Sequence, residues 1–483
     1  MTSSLWTADE IIAATGAQCF GDGNDITGTS IDTRTIQNGD LFFALAGDAR
    51  DGHDFVVNAL ANGAGAAMVS LSRAEGLKSA GRLFAVPGDV LEGMQKLAVA
   101  ARNRAKGPVI AVTGSVGKTG TKEALKLVLS RQAPTHASVA SYNNHWGVPL
   151  TLTRAPRDTF YGIYEIGMNH ALEIVPLTKL VRPNIAIITT VAPVHLEFFK
   201  SIADIADAKA EIFEGIEAGG TVILPMDSPY FERLKMHASA SRAGRILSFG
   251  EGEKADIRAI RIDTTSEYSD VVVSVFGREI SYRIGSPGKH VALNSLAVLA
   301  AVFAASGNVD DAADALIDLV PPAGRGERLI LGSEKAPFLL VDESYNANPA
   351  SMRAALANLG MVDLSGKGRR IAVLGAMGEL GPQGPELHKE LAQSIIESGV
   401  NLVFAAGSLM KNLVDALPEN IVAAYAESSE GLIESLNATV QAHDAVMVKG
   451  SLSSKMGLIV SSLKERHGVV GSSAMHGSTL GQP

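Results

Sequence analysis

The chain has 483 residues, of which 46% are hydrophobic and 19% are charged, and its formal net charge is −9. This length and composition exclude a disordered or fibrous protein and predict a globular one with two to four domains. Because there is no basic excess, we expect no nucleic-acid partner, although anionic small molecules need only local positive groups. Cys19 is the single cysteine, which excludes an intrachain disulfide and a cage of thiolate metal ligands.

The N-terminal residues lack a basic start followed by an apolar core, so we expect no secretory signal. The longest apolar stretch, residues 292–306, is shorter than the roughly 20 residues that a membrane span requires. It also contains Asn294 and Ser295. We therefore expect a soluble, cytoplasmic, monomeric protein without a membrane span.

The first block of the chain, to about Lys106, alternates short apolar runs with helical stretches. A helix is predicted at 55–61, and strands are predicted at 40–45, 66–70 and 83–86. Gly107-Pro108 then breaks the chain before a second block, whose predicted strands are 109–112, 161–166, 185–191 and 221–224. Near-continuous apolar strands between helices indicate a parallel sheet that is covered on both faces. Residues 256–284 alternate as an antiparallel β insertion does.

A Pro-Pro-Ala-Gly run at 321–324 marks the joint to a third block with the same strand–helix rhythm. Its predicted strands are 338–341, 370–374, 402–405 and 445–448. This pattern is typical of a second α/β domain of nucleotide-binding type. The tail from 468, rich in Gly and Ser, is predicted to be disordered.

The segment Thr113-Gly-Ser-Val-Gly-Lys-Thr119 predicts a phosphate-binding loop between strand 109–112 and a helix at 119–129. Backbone N–H groups and the helix N-terminus would surround one anion, and the glycines let the backbone approach it. Lys118 can reach the outer phosphates, and the Thr119 hydroxyl can ligate Mg²⁺. Val112 stands where the strict Walker pattern has glycine, so the match is to the shorter Gly-x-x-Gly-Lys-Thr form. We expect ATP to contact Gly114, Ser115, Val116, Gly117, Lys118 and Thr119.

Four further stretches carry a resemblance to the Mur ligase family that covers nearly the whole chain. They are Glu-Ile-Gly-Met-Asn-His at 165–170, Val-His-Leu-Glu at 194–197, Ala-Lys-Ala-Glu-Ile-Phe at 208–213 and Asp-Glu-Ser-Tyr-Asn-Ala-Asn-Pro at 342–349. The resemblance implies an ATP-dependent ligase of peptidoglycan precursor synthesis. The last stretch implies that it joins D-alanyl-D-alanine to UDP-N-acetylmuramoyl-tripeptide through an acyl phosphate. The third peptide residue could be diaminopimelate or lysine.

The predicted fold is therefore α/β with three domains. A smaller N-terminal domain (1–106) is implied to bind the UDP part of the substrate. A central P-loop domain (107–319) with a parallel sheet binds ATP, and a Rossmann-like C-terminal domain (320–467) completes the ligase. The predicted disordered tail is 468–483.

Four residues are expected to hold Mg²⁺. Glu165 ends the predicted strand 161–166, at the sheet edge where ligands collect, and a carboxylate there suits a hard cation. The resemblance implies that His195 coordinates a second Mg²⁺ and that Lys209 is carbamylated, which would turn an ammonium into a carboxylate-like ligand. On their own, a structural histidine and a solvated helix lysine fit these positions too. The implied metal ligands are Thr119, Glu165, His195 and Lys209, and the implied catalytic residues are Lys118, His195 and Lys209.

The resemblance also implies the remaining contacts. Asn294 would contact the adenine of ATP, Arg325 would reach ATP from the third block, and Asp342 would lie near the ribose. Thr33 and Arg34 would contact the uridine or its diphosphate, for which a planar guanidinium is suited. The full set of implied substrate-binding residues is Thr33, Arg34, Asn143, Asn144, Tyr345, Asn346 and Asn348.

The chain departs from the family pattern at two places. Ala171-Leu172 follows Asn169-His170 where the family usually has Pro-Gly, and Leu452 stands where it commonly has arginine. Two rival readings stay open: another Mur-type or folylpolyglutamate-type amino-acid ligase, and a non-catalytic P-loop nucleotide-binding regulator. The Ser-Tyr-Asn-Ala-Asn-Pro motif at 344–349 favours the dipeptide-adding ligase over the first, and the expected metal ligands and the two further domains argue against the second.

Overall fold

A computed structural model describes residues 4–139, 141–364 and 366–472. Three sheets follow one another along the chain, each covered by helices, which confirms the predicted three-domain α/β fold. Over the described ranges, no helix combines the length and the apolar character needed to cross a membrane.

The N-terminal domain is built on a five-stranded sheet in the order β1-β5-β4-β3-β2, parallel except for β1. Its strands are β1 (Gln18–Phe20), β2 (Gly28–Ser30), β3 (Asp40–Phe43), β4 (Ala66–Ser70) and β5 (Leu83–Val86). Its helices are α1 (Ala8–Thr15), α2 (Val56–Ala61), α3 (Leu71–Ala74) and α4 (Val90–Asn103). The three strands predicted here are confirmed, although the first ends at Phe43.

The central domain is built on a nine-stranded sheet in the order β14-β13-β12-β11-β10-β9-β6-β8-β7. Its strands are β6 (Val109–Thr113), β7 (Thr135–Ala137), β8 (Tyr161–Glu165), β9 (Ile185–Ile188), β10 (Thr221–Pro225), β11 (Arg245–Gly250), β12 (Ile257–Thr264), β13 (Ser269–Val275) and β14 (Arg278–Ile284). Its helices are α5 (Lys118–Ser130), α6 (Gly147–Thr153), α7 (Ile174–Val181), α8 (Ile202–Ala210), α9 (Phe231–Ala240), α10 (Lys289–Ala304) and α11 (Val309–Ala315). The antiparallel pairing of β12, β13 and β14 confirms the predicted insertion.

One predicted strand of this domain, 185–191, is too long. The strand β9 ends at Ile188, and the backbone beyond it turns to the phosphate loop. The Ser115 N–H donates to the Thr190 carbonyl at 2.9 Å, and the Ser115 hydroxyl donates to the Ala192 carbonyl at 3.0 Å. These bonds take the place of a strand ladder.

The C-terminal domain is built on a seven-stranded sheet in the order β19-β18-β17-β20-β16-β15-β21. Its strands are β15 (Glu327–Ser333), β16 (Ala336–Glu343), β17 (Arg370–Gly375), β18 (Leu402–Ala406), β19 (Val422–Ala426), β20 (Ala445–Lys449) and β21 (Val469–Ser472). Its helices are α12 (Pro349–Gly360), α13 (Gly384–Lys389), α14 (Leu391–Glu397), α15 (Lys411–Val414), α16 (Ile433–Thr439) and α17 (Gly457–His467).

The prediction of a disordered tail is wrong for its first residues. The strand β21 pairs antiparallel with β15, and this pairing satisfies backbone groups along an edge that would otherwise be free. The rest of the predicted tail, 473–483, lies outside the described residues.

Alternation along the central strands fills a core on each face of the sheet. In β6, Ile110 and Val112 pack on one face with α5, α10 and α11, whereas Val109 and Ala111 pack on the other with α7 and α8. Because both faces are buried, polar residues that follow the parallel strands gather at their carboxyl edge. This edge carries the phosphate loop.

The N-terminal and central domains share a packed junction at α6. Leu150 of α6 belongs to the N-terminal hydrophobic core. The Trp6 indole donates to the Thr153 carbonyl at 2.9 Å, and the Thr29 and Thr153 hydroxyls are 2.9 Å apart. The Arg104 guanidinium, which lies over the Trp6 ring 4.0 Å from its centre, donates to the Ala155 carbonyl of the central domain at 2.7 Å. These contacts join the two domains through buried surface.

Candidate active site

The phosphate loop runs from β6 into α5 and requires glycine at two positions. Gly114 has φ 149°, and a Cβ there would lie 1.9 Å from the Thr189 hydroxyl oxygen. Gly117 has φ 91°, and a Cβ there would lie 2.4 Å from the Asn294 amide nitrogen. Both side-chain positions are already filled by neighbours, so only glycine fits. The predicted strand–loop–helix arrangement is confirmed.

Lys118 opens α5 and lines the cleft beside the loop. Its Nζ donates to the Gly114 carbonyl at 2.7 Å. Burial in the cleft lowers the pKa of Lys118, an effect that the Glu165 carboxylate opposes and the Arg325 guanidinium reinforces. A second cation facing the same space indicates a site that accepts an anion of high charge.

A carboxylate stands directly beside the loop. Glu165, at the end of β8, is 0% exposed. The Thr119 hydroxyl donates to its Oε2 at 2.9 Å, and the Asn143 amide donates to its Oε1 at 2.7 Å. A hydroxyl and a carboxylate in contact at the mouth of a phosphate loop form a donor set that fits Mg²⁺.

The described stretches of the chain contain no cluster of three or more His, Cys, Asp or Glu side chains able to hold a metal ion. A magnesium site here would therefore combine Glu165 and Thr119 with oxygens of the nucleotide, which is the usual way in which Mg²⁺ is held beside phosphates.

His195 lines the same cleft as Lys118. Its side chain contacts a residue of the C-terminal domain, and the sequence did not predict this contact. Its Nδ1 is hydrogen-bonded to the Oε2 of Glu379, which comes from the C-terminal domain. This bond lowers the pKa of Glu379, against the opposing effect of its partial burial. No sequence signal marked Glu379, because the bond depends on how two domains meet.

Lys209, in α8, is buried with 2% exposure. Burial lowers the pKa of its ammonium well below the usual range, and repulsion from Lys118 acts in the same direction. Among the described residues, none accepts a hydrogen bond from its Nζ. Sequence reasoning alone allowed a solvated lysine here, and that reading is wrong. Its predicted carbamylation stays a prediction.

A cavity of about 1030 Å³ separates the central and C-terminal domains. The predicted residues that line it are Ser115, Val116, Gly117, Lys118, Thr119, Asn143, Glu165, His195, Asn294, Arg325, Tyr345, Asn346 and Asn348. Both domains therefore face one space, as the expected sharing of a nucleotide requires. The ligand contacts of these residues stay predictions.

Arg325, on the C-terminal side of the cavity, contacts the central domain. Its Nη2 donates to the Ser141 hydroxyl at 2.9 Å. Its guanidinium lies over the Tyr345 ring, 4.2 Å from the centre. The aromatic face and the hydroxyl together hold the guanidinium at the cavity wall.

Asp342 differs from the prediction in its surroundings. Its side chain accepts bonds from the Ser344 N–H and hydroxyl, and it does not line the cavity. The next residue, Glu343, does line it and is paired at 3.0 Å with Lys449. Lys449 also donates to the Asn346 carbonyl at 3.0 Å. Successive strand residues face opposite sides, and this alternation was the signal that could have identified Glu343.

Three predicted substrate residues of the first two domains, Thr33, Arg34 and Asn144, lie away from this cavity. Arg34 is exposed, and its backbone N–H, Nε and Nη2 all donate to the Asp32 carboxylate, while Thr33 is partly buried beside it. The Asn144 side chain accepts the N–H groups of Trp146 and Gly147 and so caps the start of α6. The structure does not bring these residues together with the phosphate loop.

Leu172 and Leu452, at the two departures from the family pattern, both have exposed side chains. Leu172 has φ 70°, in the left-handed region that glycine occupies most easily, and its side chain is largely exposed. Leu452 is 68% exposed and lines the cavity. An apolar side chain therefore lines the cleft at the position where the family commonly has an arginine.

Three family models match successive parts of the chain. They describe the Mur ligase family catalytic domain at 25–113, the Mur ligase middle domain at 112–302 and the Mur ligase glutamate ligase domain at 324–452. The UDP-N-acetylmuramoyl-tripeptide–D-alanyl-D-alanine ligase of Rickettsia prowazekii is 31% identical over 94% of this chain and 99% of its own length. The Escherichia coli enzyme of the same name is 31% identical over 92% and 95%. A crystal structure of MurF from Acinetobacter baumannii superposes with a TM-score of 0.81 at 28% identity, covering 95% of this chain and 99% of that one.

Proposed function

The chain belongs to the Mur ligase family, and we infer that it is an ATP-dependent ligase that joins D-alanyl-D-alanine to UDP-N-acetylmuramoyl-tripeptide. The observation that carries this inference is the match to ligases of that name over almost the full length of both chains. The site supports it independently, because a phosphate loop and a buried carboxylate face a cavity shared by two domains.

In the first step, the tripeptide carboxylate attacks the γ-phosphorus of ATP. A C–O–P bond forms, the bond to the β-phosphate oxygen breaks, and ADP leaves. In the second step, the dipeptide amine attacks the acyl carbon, the C–N bond forms, the C–O bond to phosphate breaks, and a proton passes to solvent. Such transfers depend on positioning and charge neutralisation. Residues 115–119 of the phosphate loop, with the cations of Lys118 and Arg325, line the space where phosphate charge would develop.

We expect Thr119 and Glu165 to hold one Mg²⁺, and His195 with Lys209 to hold a second. Bound Mg²⁺ would neutralise phosphate charge and polarise the reacting oxygens. Thr119 and Glu165 support this assignment because they already touch at 2.9 Å with the carboxylate fully buried. Asn143 holds the other carboxylate oxygen and keeps the group in one orientation.

We propose that Lys209 is carbamylated. The amine nitrogen would attack the carbon of CO₂, and one proton would leave to solvent, giving an N-carboxylate. Two observations support this: the lysine residue is buried, and among the described residues the charge that acts on its ammonium is the cation of Lys118 and not an anion. A buried lysine next to the cation of Lys118 costs free energy, whereas an anion there would be attracted to it.

For the rest of the substrate, Thr33 and Arg34 remain the expected uridine diphosphate contacts, and Asn144, Tyr345, Asn346 and Asn348 the expected peptide contacts. Asn294 and Asp342 remain the expected adenosine contacts. We expect the enzyme to act in the cytoplasm as a monomer.

The acceptor decides between this function and that of another amino-acid ligase. Phosphate release would be measured with ATP, UDP-N-acetylmuramoyl-tripeptide and either D-alanyl-D-alanine or single amino acids. We expect turnover with the dipeptide and a product heavier by the dipeptide less one water. Turnover with a single amino acid alone would contradict the proposal, and ATP hydrolysis that ignores every acceptor would indicate a nucleotide-dependent regulator.

A further inference from the structure

Glu379 reaches from the C-terminal domain to His195 of the central domain. Its Oε2 accepts a hydrogen bond from His195 Nδ1, and its backbone carbonyl is 3.3 Å from the Glu197 N–H that donates to it. Gly381, two residues on, lies close to the same segment, since a Cβ there would be 3.2 Å from the Glu197 Cα. The loop 378–381 therefore contacts the segment that carries His195 at several atoms.

This loop is fixed within the C-terminal domain. The Met377 N–H donates to His388 Nε2 at 2.9 Å, and the Gly378 N–H donates to the Ser451 hydroxyl at 2.7 Å. His388 is fully buried, and its other ring nitrogen is bonded to a backbone carbonyl at 2.6 Å. The position of Glu379 therefore follows the position of the whole domain.

The backbone on both sides of the contact is unusual. His195 has φ 55° and Glu379 has φ 59°, in the left-handed region that residues with a Cβ seldom adopt. Conformations of this kind persist where surrounding contacts fix them, and they concentrate at functional sites. Here two of them meet across a domain junction.

The contact also decides which nitrogen of His195 is free. An ionised carboxylate can only accept hydrogen bonds, so Nδ1 must carry the proton in this pair. In the neutral ring the second nitrogen, Nε2, then has a free lone pair, and His195 lines the cavity. A partner on one ring nitrogen commonly sets the tautomer and orientation in which the other nitrogen binds a cation.

We propose that Glu379 is a positioning residue for the ligation reaction. When the C-terminal domain closes, Glu379 binds His195 Nδ1 and so orients the His195 Nε2 lone pair toward the cavity. Because carboxylate and imidazole belong to different domains, the bond forms only when these domains meet. Closure would then complete the cation site as well as cover the substrates. The proposal rests on the proposed function, in which His195 holds a cation.

The test uses the full chain with E379A and E379Q, and with E390Q as the matched control. Glu390 is in the same domain and forms an exposed pair with Arg353 at 2.9 Å, away from the cavity. The first measurement is the His195 tautomer by ¹⁵N–¹H NMR of protein labelled at histidine, with a non-hydrolysable ATP analogue to close the domains, without Mg²⁺, and with H195Q to assign the signal. We expect Nδ1–H in the wild type and in E390Q, and a shift toward Nε2–H in E379A.

The second measurement is the Mg²⁺ concentration that gives half the maximal rate. We expect it to rise about 10–100-fold in E379A, less in E379Q, and not in E390Q. The KM for ATP should change much less than this Mg²⁺ requirement, and thermal melting should report whether each variant is folded. If E379A is not folded, E379Q carries the same comparison.

A wild-type His195 with its proton on Nε2 would overturn the proposal. So would folded variants at Glu379 whose tautomer and Mg²⁺ requirement match the wild type. If the wild type forms no dipeptide adduct at all, the proposed function fails, whereas the tautomer measurement still decides whether Glu379 orients His195.

Discussion

The N-terminal and C-terminal domains join the central domain in different ways. At the first junction, Trp6 donates a buried hydrogen bond across the interface and Leu150 packs in the other domain's core. At the second, a cavity of about 1030 Å³ lies between the domains, and polar contacts from Arg325 and Glu379 cross beside it. Buried apolar packing holds two domains as one body, whereas polar contacts around a cavity can open and close.

We therefore expect the first junction to contribute mainly to stability and the second mainly to catalytic rate. The central domain and the N-terminal domain form a platform, and the C-terminal domain brings cations and polar groups to the phosphate loop. Changes at the cavity should therefore alter rate with little effect on unfolding, and changes at the packed junction should do the reverse. The following substitutions test that separation.

Lys118→Ala should give the largest effect, a loss of about 10³-fold in kcat, because a cation facing the developing phosphate charge is removed. The midpoint of thermal unfolding should change little. Lys126→Ala, an exposed lysine of the same helix, is the control and should keep wild-type kcat. Equal rates for the two variants would remove Lys118 from the site.

Lys209→Ala should lower kcat by about 100-fold, the range found when groups that hold or orient a metal are removed. Since the proposed group is a carbamate, acetate or another short carboxylate should restore part of the rate. Steady-state kinetics with and without the carboxylate checks this. Full activity of the variant, or no rescue of a folded variant, would contradict the carbamate.

Trp6→Phe tests the packed junction. It removes the donor to the Thr153 carbonyl and weakens the stacking of Arg104, so the free energy of unfolding should fall by about 2 kcal/mol. Urea unfolding measures this change, and kcat well below the transition should stay within twofold. A selective loss of kcat in a variant of unchanged stability would break the comparison.

Arg34→Ala tests whether the platform also binds substrate. We expect the KM for UDP-N-acetylmuramoyl-tripeptide to rise about 10-fold with kcat nearly unchanged, since a charged hydrogen-bond donor is lost from a group remote from the chemistry. Arg73→Ala, which removes an exposed partner of Asp51 in the same domain, is the control. An unchanged KM would show that Arg34 serves only its neighbour Asp32.

The smallest expected effect is on the pH dependence of stability, and it comes from His136, which is bonded to α6. The His136 ring bonds the Thr151 carbonyl at 2.8 Å, and burial lowers the pKa of His136 to about 4. The unfolded pKa is about 6.5, so between these values the unfolded chain binds more protons and stability falls as pH falls. Between pH 7 and pH 5, the protonation of His136 in the unfolded chain should lower the free energy of unfolding by about 1–2 kcal/mol.

Urea unfolding at both pH values, compared with H136Q, measures that term. The substitution should flatten the pH dependence of the unfolding free energy, because the glutamine does not titrate. An identical slope in the two proteins would contradict the prediction, because it would mean that the pKa of His136 is the same in the folded and unfolded chains.

Much of the fold was predictable because its strands are apolar on both faces. The bounds of β4 and β5 match the prediction, and Thr119 and Glu165 were expected together because parallel strands end at one edge. Local signals were harder to weigh. Asn144 and Asp342 have the residue types of ligand contacts, yet their side chains bond their own neighbouring backbone.

Contacts between residues far apart in the chain, whether between domains or within one, were beyond prediction. Glu379 and His195 are 184 residues apart, and neither a spacing nor a periodicity relates them. Lys449 and Glu343 are 106 residues apart, on neighbouring strands whose order the sequence does not state. Such pairs follow from sheet order and domain placement, which depend on the whole chain.

The central claim is ATP-dependent activation of the tripeptide carboxylate followed by transfer to D-alanyl-D-alanine. It is tested most directly by mass spectrometry after one turnover with substrate whose terminal carboxylate carries ¹⁸O in both positions. We predict a dipeptide adduct that retains one ¹⁸O and inorganic phosphate that gains the other. Unlabelled phosphate, or a product that lacks the dipeptide, would contradict it.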